Sequence, residues 1–172
     1  MTNPSAFTGA QIFDGTRLHK SAALVLQGGR IKSIISIKNL DPSIDVTRLN
    51  GGLLCPGFVD LQVNGGGGVL FNDDPAQIST ILEAHARLGA TTLLPTLISD
   101  SIEKVEAAID AARETGLHLE GPHLSQARKG AHNPAHIRPM DQSDLNRLRD
   151  AAMFLPTLKV TVAPEAATSN QI

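Results

Sequence analysis

The segment Gly116-Leu117-His118-Leu119-Glu120-Gly121-Pro122 carries the most information about how this chain folds. In an extended strand the side chains alternate, so the two leucines face one side while His118 and Glu120 face the other. Gly121-Pro122 ends the strand directly after Glu120, because proline has no N–H for the ladder and glycine tolerates a sharp exit. A carboxylate at the carboxyl end of a strand is where an α/β barrel places its functional groups. On position alone, an ion-pair or capping role is the commoner one for such a glutamate.

A second stretch upstream has a similar build, Pro56-Gly57-Phe58-Val59-Asp60-Leu61-Gln62-Val63-Asn64. Alternation along a strand puts its valines and Leu61 on an apolar side, and it puts Asp60, Gln62 and Asn64 on the other side. A buried row of polar side chains costs free energy unless its members are hydrogen-bonded or bind something. Two such strands side by side therefore predict a binding site.

The order of these motifs resembles a known family. Pro-Gly-Phe-Val-Asp followed by a polar pair resembles the first barrel strand of the amidohydrolase superfamily, where the pair is usually His-x-His, whereas this chain has Gln62-Val63-Asn64. Together with the motifs that follow it along the chain, this pair resembles the N-acetylglucosamine-6-phosphate deacetylase family of that superfamily, from about Gly51 to Glu165. The further motifs are Asn64-Gly65-Gly66-Gly67-Gly68, Phe71-Asn72-Asp73, Leu94-Pro95-Thr96-Leu97, Leu119-Glu120-Gly121-Pro122 and Lys129-Gly130-Ala131-His132-Asn133-Pro134.

The predicted fold class is α/β. Short strands with glycine turns between Phe7 and Leu49 indicate a small antiparallel β unit. From Leu53 onward, strands alternate with segments of helical period, which is typical of βα units and a parallel sheet. The predicted strands span about 58–63, 91–95, 117–120 and 158–163, and the predicted helices span about 75–88, 101–114 and 144–154.

The resemblance gives these segments a more specific assignment. It implies that residues 1–52 are the N-terminal part of a small β-sandwich domain. It implies that residues 53–172 are the first half of a metal-dependent hydrolase TIM barrel, a (β/α)₈ barrel of the amidohydrolase type with only its first four strands present. Such a barrel typically needs about 250 residues, so we expect this chain to be truncated.

The resemblance also assigns the candidate site. It implies that Glu120 is a ligand of one divalent metal ion, which could be Zn, Fe, Mn or Co, because a hard carboxylate oxygen suits all of these. Gln62 and Asn64 are poor metal ligands beside imidazole, so we expect them to line the site and favour one metal over two. Ala131 and His132 match the substrate-binding pair of the family, with a solvent-exposed loop histidine as the alternative reading of His132. The resemblance places the partner histidines and the general-base aspartate downstream of Ile172.

The implied reaction is hydrolysis of the acetamido group of N-acetylglucosamine 6-phosphate to glucosamine 6-phosphate and acetate. We expect the chain alone to be inactive, because its ligand set is incomplete. One alternative is another amidohydrolase, such as an N-acetylgalactosamine-6-phosphate deacetylase or a dihydroorotase-like enzyme. The other is a truncated scaffold protein that acts without catalysis.

Composition limits the partners. The chain has 172 residues, of which 41% are hydrophobic and 19% charged, with a formal net charge of −2. These values are typical of a soluble globular protein and disfavour a nucleic-acid or membrane partner. We expect a cytoplasmic protein with a small-molecule amino-sugar phosphate as its partner, and the family resemblance implies a homodimer. The single cysteine, Cys55, excludes an internal disulfide, and its apolar neighbours predict that it is buried.

Other features are predicted to be structural. We expect His118 to be a hydrogen-bonded interior residue one layer below Glu120, and His85 to be a core residue of its helix. His123 and His136 receive no role. The glycines at 65–68 lack the lysine of a phosphate-binding loop, so a tight, mobile loop is expected there.

Overall fold

Within residues 3–172, helices of two turns or more occur only after Gly57, whereas residues 3–56 form strands and one short 3₁₀ turn. The computed structural model describes residues 3–172, and the chain divides into one unit that ends at Pro56 and a second unit, Gly57–Ile172. Each unit has its own hydrophobic cluster.

The first unit contains two small sheets. Their strands are β1 (Ser5–Thr8), β2 (Gln11–Phe13), β3 (Leu18–His19), β4 (Ala22–Gln27), β5 (Arg30–Ser36), β6 (Asp45–Arg48) and β7 (Leu53–Leu54). The order is β5-β4-β1-β6 in one sheet and β3-β2-β7 in the other. A small core includes Ile12 from β2 and Ala22 and Leu24 from β4, so it draws on both sheets.

The expectation of a small antiparallel unit holds for three strand pairings and is wrong for two. Strand β1 pairs with β6 in parallel, and β2 pairs with β7 in parallel. The antiparallel pair β4–β5 is joined by Gly28 and Gly29, both at positive φ, which reverses the chain within two residues. The connections from β1 to β6 and from β2 to β7 are much longer, and they let the chain return in the same direction.

Cys55 is also exposed, contrary to the prediction. It follows the last residue of β7, Leu54, in the segment where the first unit ends. The apolar neighbours on which the prediction rested do not enclose it, because Leu53 is itself exposed.

The second unit is built on a parallel sheet. Its main strands are β8 (Phe58–Val63), β11 (Ala90–Ile98), β12 (Leu117–Glu120) and β13 (Leu158–Thr161), in the order β13-β12-β11-β8. All three pairings are parallel. Helices α1 (Ile78–Ala86), α2 (Ile102–Ala111) and α3 (Gln142–Ala152) lie between these strands in the chain. The alternation of strands and helices confirms the α/β class.

Capping side chains begin α2, α3 and the 3₁₀ turn that precedes α1. Asp74 accepts a hydrogen bond from Ala76 N in the 3₁₀ turn Pro75–Gln77 that leads into α1, and Ser101 accepts one from Lys104 N at the start of α2. Asp141 and Asp144 form a reciprocal capping box at α3. No helix within residues 3–172 is long and apolar enough to cross a membrane.

The two faces of the sheet differ in polarity. Side chains of one face, including Leu97 and Leu119, are buried in a core with residues of the helices such as Ile81 and Ile109. The other face carries polar side chains, and His118 there contacts hydroxyls on both neighbouring strands. This amphipathic sheet places the polar groups of four strands on a common surface.

The structure makes one local expectation more specific and contradicts another. The glycines at 65–68 form a hairpin, in which β9 (Gly65–Gly66) pairs with β10 (Val69–Leu70) and the turn glycines Gly67 and Gly68 have positive φ. The apolar side of β8 is buried only at Val63, while Val59 and Leu61 are 63% and 49% exposed. Strand β8 is the end strand of the described sheet, so part of its apolar side has no covering layer within residues 3–172.

Candidate functional site

The predicted site residues lie around one cavity at the carboxyl edge of the parallel sheet. Because parallel strands end at the same edge, Asn64, directly after β8, comes near Glu120 at the end of β12. The cavity has a volume of about 660 Å³ and is lined by Gln62, Asn64, Glu120, Ala131 and His132, together with other residues. The structure therefore brings all five candidates together, and their roles stay predictions.

The Glu120 carboxylate is held on one side and open on the other. Gln62 Nε2 donates a hydrogen bond to Glu120 Oε2 at 2.8 Å. The second oxygen, Oε1, lies 3.9 Å from His132 Nε2, which is beyond hydrogen-bond distance. The side chain of Glu120 is 22% exposed, so a ligand in the cavity can reach it.

A single open carboxylate oxygen fits one position in the coordination shell of a divalent metal. Within residues 3–172 no three His, Cys, Asp or Glu side chains come together in a metal-binding group. A catalytic zinc site needs about three protein ligands and an open place for water or substrate. Glu120 therefore stays a predicted metal ligand, and the described residues do not complete a metal site around it.

His132 is buried, with 8% of its surface exposed, so the reading as an exposed loop histidine is wrong. Its Nδ1 accepts a hydrogen bond from Ser99 N at 3.2 Å and lies 2.9 Å from Ser99 Oγ. Ser99 follows the last residue of β11 and is itself buried. Sequence reasoning missed Ser99, although its place just beyond the carboxyl end of a parallel strand is a usable signal.

His118 lies under this edge as a hydrogen-bonded interior residue, as predicted. Its Nδ1 is 3.2 Å from Thr96 Oγ1, and its Nε2 is 2.8 Å from Thr161 Oγ1. Burial, and next the charge of Lys159, lower the pKa of His118 below its ordinary value. His85 was predicted to be a core residue but is only half-buried, and its Nε2 is 3.0 Å from the carbonyl oxygen of Gly65.

A buried charged cluster that sequence reasoning missed lies beside a second cavity of about 160 Å³. His123 Nδ1 donates to the carbonyl oxygen of Arg138 at 3.1 Å, and its Nε2 is 3.7 Å from Asp144 Oδ2. Arg138 Nη2 donates to Asp144 Oδ1 at 2.6 Å in a two-pronged pair. The three residues come from separate segments, and their spacing has no recognisable pattern.

The pKa values of all three residues in the cluster are shifted, and that of Arg138 is raised by its hydrogen bond to Asp144. Burial lowers the pKa of His123, because the charged imidazolium is poorly solvated there. Burial alone would raise the pKa of Asp144, but hydrogen bonds from the Arg138 side chain and the Asp141 backbone outweigh it and lower that pKa. At neutral pH the cluster therefore contains a neutral histidine beside an ion pair.

Comparison with known proteins decides the relationship. No family model matches the sequence. The chain is 37% identical to the N-acetylgalactosamine-6-phosphate deacetylase of Shewanella sp. (strain ANA-3), over 95% of this chain and 44% of that protein. The chain belongs to the amino-sugar-phosphate deacetylase family. It is 34% identical to the family member N-acetylglucosamine-6-phosphate deacetylase of Haemophilus influenzae, over 86% of this chain and 41% of that protein.

Solved structures of amino-sugar-phosphate deacetylases are also similar to this chain. The crystal structure of the Pasteurella multocida N-acetylglucosamine-6-phosphate deacetylase matches with a TM-score of 0.82 at 32% identity, over 90% of this chain and 44% of that one. A variant of the Mycobacterium smegmatis enzyme, in complex with N-acetyl-D-glucosamine-6-phosphate, matches with a TM-score of 0.76 at 29% identity, over 95% of this chain and 44% of that one. The family prediction is confirmed, and the chain spans the N-terminal 44% or so of the relatives it matches.

Proposed function

We propose that this chain contributes the N-terminal part of the active site of an enzyme that hydrolyses the acetamido group of N-acetylglucosamine 6-phosphate. The observation that carries the proposal is the grouping of Gln62, Glu120 and His132 around the cavity at the carboxyl edge of the sheet. This edge is where parallel α/β folds bind their ligands. The names of the relatives supply the substrate class.

The fold proposal goes further than the α/β class. The four parallel strands would be the first four of a TIM barrel, beginning near residue 53, and the two mixed sheets before it would be part of a β-sandwich. The polar face that carries His118 supports this proposal, because the inward face of a barrel near its catalytic end is polar. Further strands would come from polypeptide outside residues 3–172.

The metal proposal rests on Glu120. Its Oε1 would be one ligand of a single divalent ion, while Gln62 keeps the other oxygen in place through the 2.8 Å hydrogen bond. A metal bound there would polarise the amide carbonyl and lower the pKa of a bound water. Gln62 and Asn64 are amides, which favours one metal over two. The identity of the ion, among Zn, Fe, Mn and Co, stays open.

The substrate proposal rests on the loop after β12. Ala131 and His132 would contact the amino-sugar phosphate, because both line the cavity and His132 is held by Ser99 with its other nitrogen toward Glu120. The Shewanella relative is named for the galactosamine epimer and the Haemophilus relative for the glucosamine epimer. Both sugars therefore belong in the assay.

A chimera tests the function. Residues 1–172 would replace the matching N-terminal part of the Shewanella protein, so that this chain supplies Glu120 and the relative supplies the remainder. We expect acetate release from N-acetylglucosamine 6-phosphate and about one metal ion per subunit by elemental analysis. Glu120→Gln should lose both, while Glu83→Gln, on the exposed side of α1, should lose neither. A folded chimera that binds metal but releases no acetate from either sugar would count against the proposal.

The chain alone should release no acetate with added Zn²⁺, Fe²⁺ or Mn²⁺, because Glu120 is one ligand and a hydrolytic site needs about three. Robust turnover by residues 1–172 would contradict this metal proposal. An inactive chimera that still binds a partner protein would favour the scaffold alternative. The homodimer and the cytoplasmic location stay predictions, which sedimentation and cell fractionation test.

A further inference from the structure

The hydrogen atoms on the His132 ring can be assigned from its surroundings. A backbone N–H is only a donor, and Ser99 N–H points at His132 Nδ1 at 3.2 Å. Nδ1 must therefore accept, and the ring proton of the neutral histidine is on Nε2. That N–H lies on the cavity side, 3.9 Å from Glu120 Oε1. His132 thus presents a hydrogen-bond donor to whatever occupies the cavity.

The peptide group that supplies this N–H is itself fixed. Asn72 Nδ2 donates to the carbonyl oxygen of Ile98 at 3.2 Å, and Asn72 Oδ1 accepts from Ile98 N at 3.1 Å. The Ile98 carbonyl and the Ser99 N–H belong to one planar peptide unit, so the bond to Asn72 also sets the direction of the Ser99 N–H. Asp100 Oδ2 accepts from the same Asn72 amide at 2.9 Å, which assigns the orientation of that side chain.

The Ser99 hydroxyl is placed by close backbone approach. An added Cβ at Gly121 would lie 2.2 Å from Ser99 Oγ, and Gly121 has a φ of +94°. Only glycine therefore leaves room for the hydroxyl at its position 2.9 Å from His132 Nδ1. This hydroxyl is a second group that can donate to Nδ1 and support the same tautomer.

We propose that Ser99 is a positioning residue, which holds His132 as the Nε2–H tautomer and aims that donor at an oxygen acceptor of the ligand beside Glu120. The acceptor class follows from the chemistry, because an N–H donor recognises an oxygen acceptor, such as a hydroxyl, carbonyl or phosphate oxygen, and not a cation. The choice of an amino-sugar phosphate as the ligand rests on the proposed function, whereas the tautomer rests on this chain's geometry alone.

The tautomer is measured by ¹H–¹⁵N correlation spectra of the histidine rings in the 172-residue chain, with His132→Gln to assign the His132 signals. We expect the parent chain to have a protonated Nε2 and an unprotonated Nδ1 at His132. Ser99→Ala keeps the backbone N–H and should therefore keep this tautomer, but losing the hydroxyl should shift the Nδ1 resonance of His132. Ser99→Thr, which keeps the hydroxyl, should restore the parent signal. A protonated Nδ1 in the parent chain, or spectra of Ser99→Ala identical to the parent, would overturn the assignment of Ser99.

The ligand contact is measured in the chimera. Ser99→Ala should lower kcat/KM for N-acetylglucosamine 6-phosphate by about 2- to 10-fold, mostly through KM, as expected for a loosened neutral hydrogen bond. The metal content should not change. Ser79→Ala, an exposed serine of α1, is the matched control and should keep the parent values. Unchanged kinetics in Ser99→Ala would overturn the positioning role, while an inactive parent chimera would overturn the proposed function and leave the NMR comparison to decide the role of Ser99.

Discussion

The ion pair between Arg138 and Asp144 should be the most sensitive electrostatic contact of the second unit. Asp144 is 5% exposed, accepts two hydrogen bonds from Arg138, and accepts the backbone N–H of Asp141 at the start of α3. Breaking a buried pair by removing one partner costs about 3–5 kcal/mol, and losing a helix cap costs about 0.5–2 kcal/mol. The Arg138 side chain is 41% exposed and can turn to water, so Asp144→Ala should lower the free energy of unfolding by only about 2–4 kcal/mol.

Removing Arg138 should lower the free energy of unfolding more than removing Asp144. Arg138→Ala leaves the Asp144 carboxylate buried without its main partner, whereas Asp144→Ala leaves a guanidinium that water can reach. We therefore expect the larger loss from Arg138→Ala, with Asp150→Ala on the exposed side of α3 as the control.

Urea unfolding followed by circular dichroism at the helix band measures both losses. All three α-helices lie in Gly57–Ile172, so the signal reports on this unit, and the chain has no Trp or Tyr for fluorescence. A loss of 3 kcal/mol corresponds to a midpoint shift of about 1–2 M urea. Losses below about 1 kcal/mol in both variants, or a larger loss from Asp144→Ala, would refute the reasoning.

Three further predictions use the same unfolding assay. Burial lowers the pKa of His123, so below about pH 6.5 the unfolded chain binds a proton that the folded chain does not. The free energy of unfolding therefore falls as the pH is lowered. His123→Phe should make this fall smaller, and an equal pH dependence in the variant would contradict the prediction. The Ser143 hydroxyl and the Asp144 backbone N–H lower the pKa of Asp141 to about 2. The contribution of Asp141 to stability is therefore present above the ordinary carboxyl pKa and is lost as the pH falls through about 2. Asp141→Ser keeps a cap that does not titrate and should lose less helix signal in acid. Gly67→Ala should lower the free energy of unfolding by about 1–2 kcal/mol for its positive φ, and further because the new Cβ would lie 2.9 Å from Thr80 Cγ2. Gly68→Ala meets no neighbour and should cost only the φ penalty. Equal losses in the two variants would show that the clash at Gly67 is relieved.

Glycine and proline residues at the ends of strands made part of this fold predictable. The strands at 58–63 and 117–120 were predicted to the residue, because glycine and proline bound them closely. The strand predicted at 91–95 runs from Ala90 to Ile98. Pro95 does not end it, because Pro95 pairs with Val63 next to a register shift, where a missing N–H is tolerated.

Non-local contacts set the limit of the sequence reasoning. The parallel partners of β1 and β2 come from residues more than 35 positions away, and turn chemistry carries no information about them. The contact between Ser99 and His132 joins residues 33 positions apart. Glu120 could be singled out because its strand was readable, whereas His123 depends on a loop and a helix start that meet only in the folded chain.

Hydrogen bonds cross the polar face of the sheet from strand to strand. The Thr96 hydroxyl accepts from Val63 N and lies 3.2 Å from Nδ1 of His118. Nε2 of His118 lies 2.8 Å from the Thr161 hydroxyl. These contacts link all four parallel strands in one relay, and replacing a single member leaves its neighbours with unmatched donors or acceptors. During sequence divergence these positions should therefore change together, so that a substitution tolerated at one of them depends on what already occupies the others.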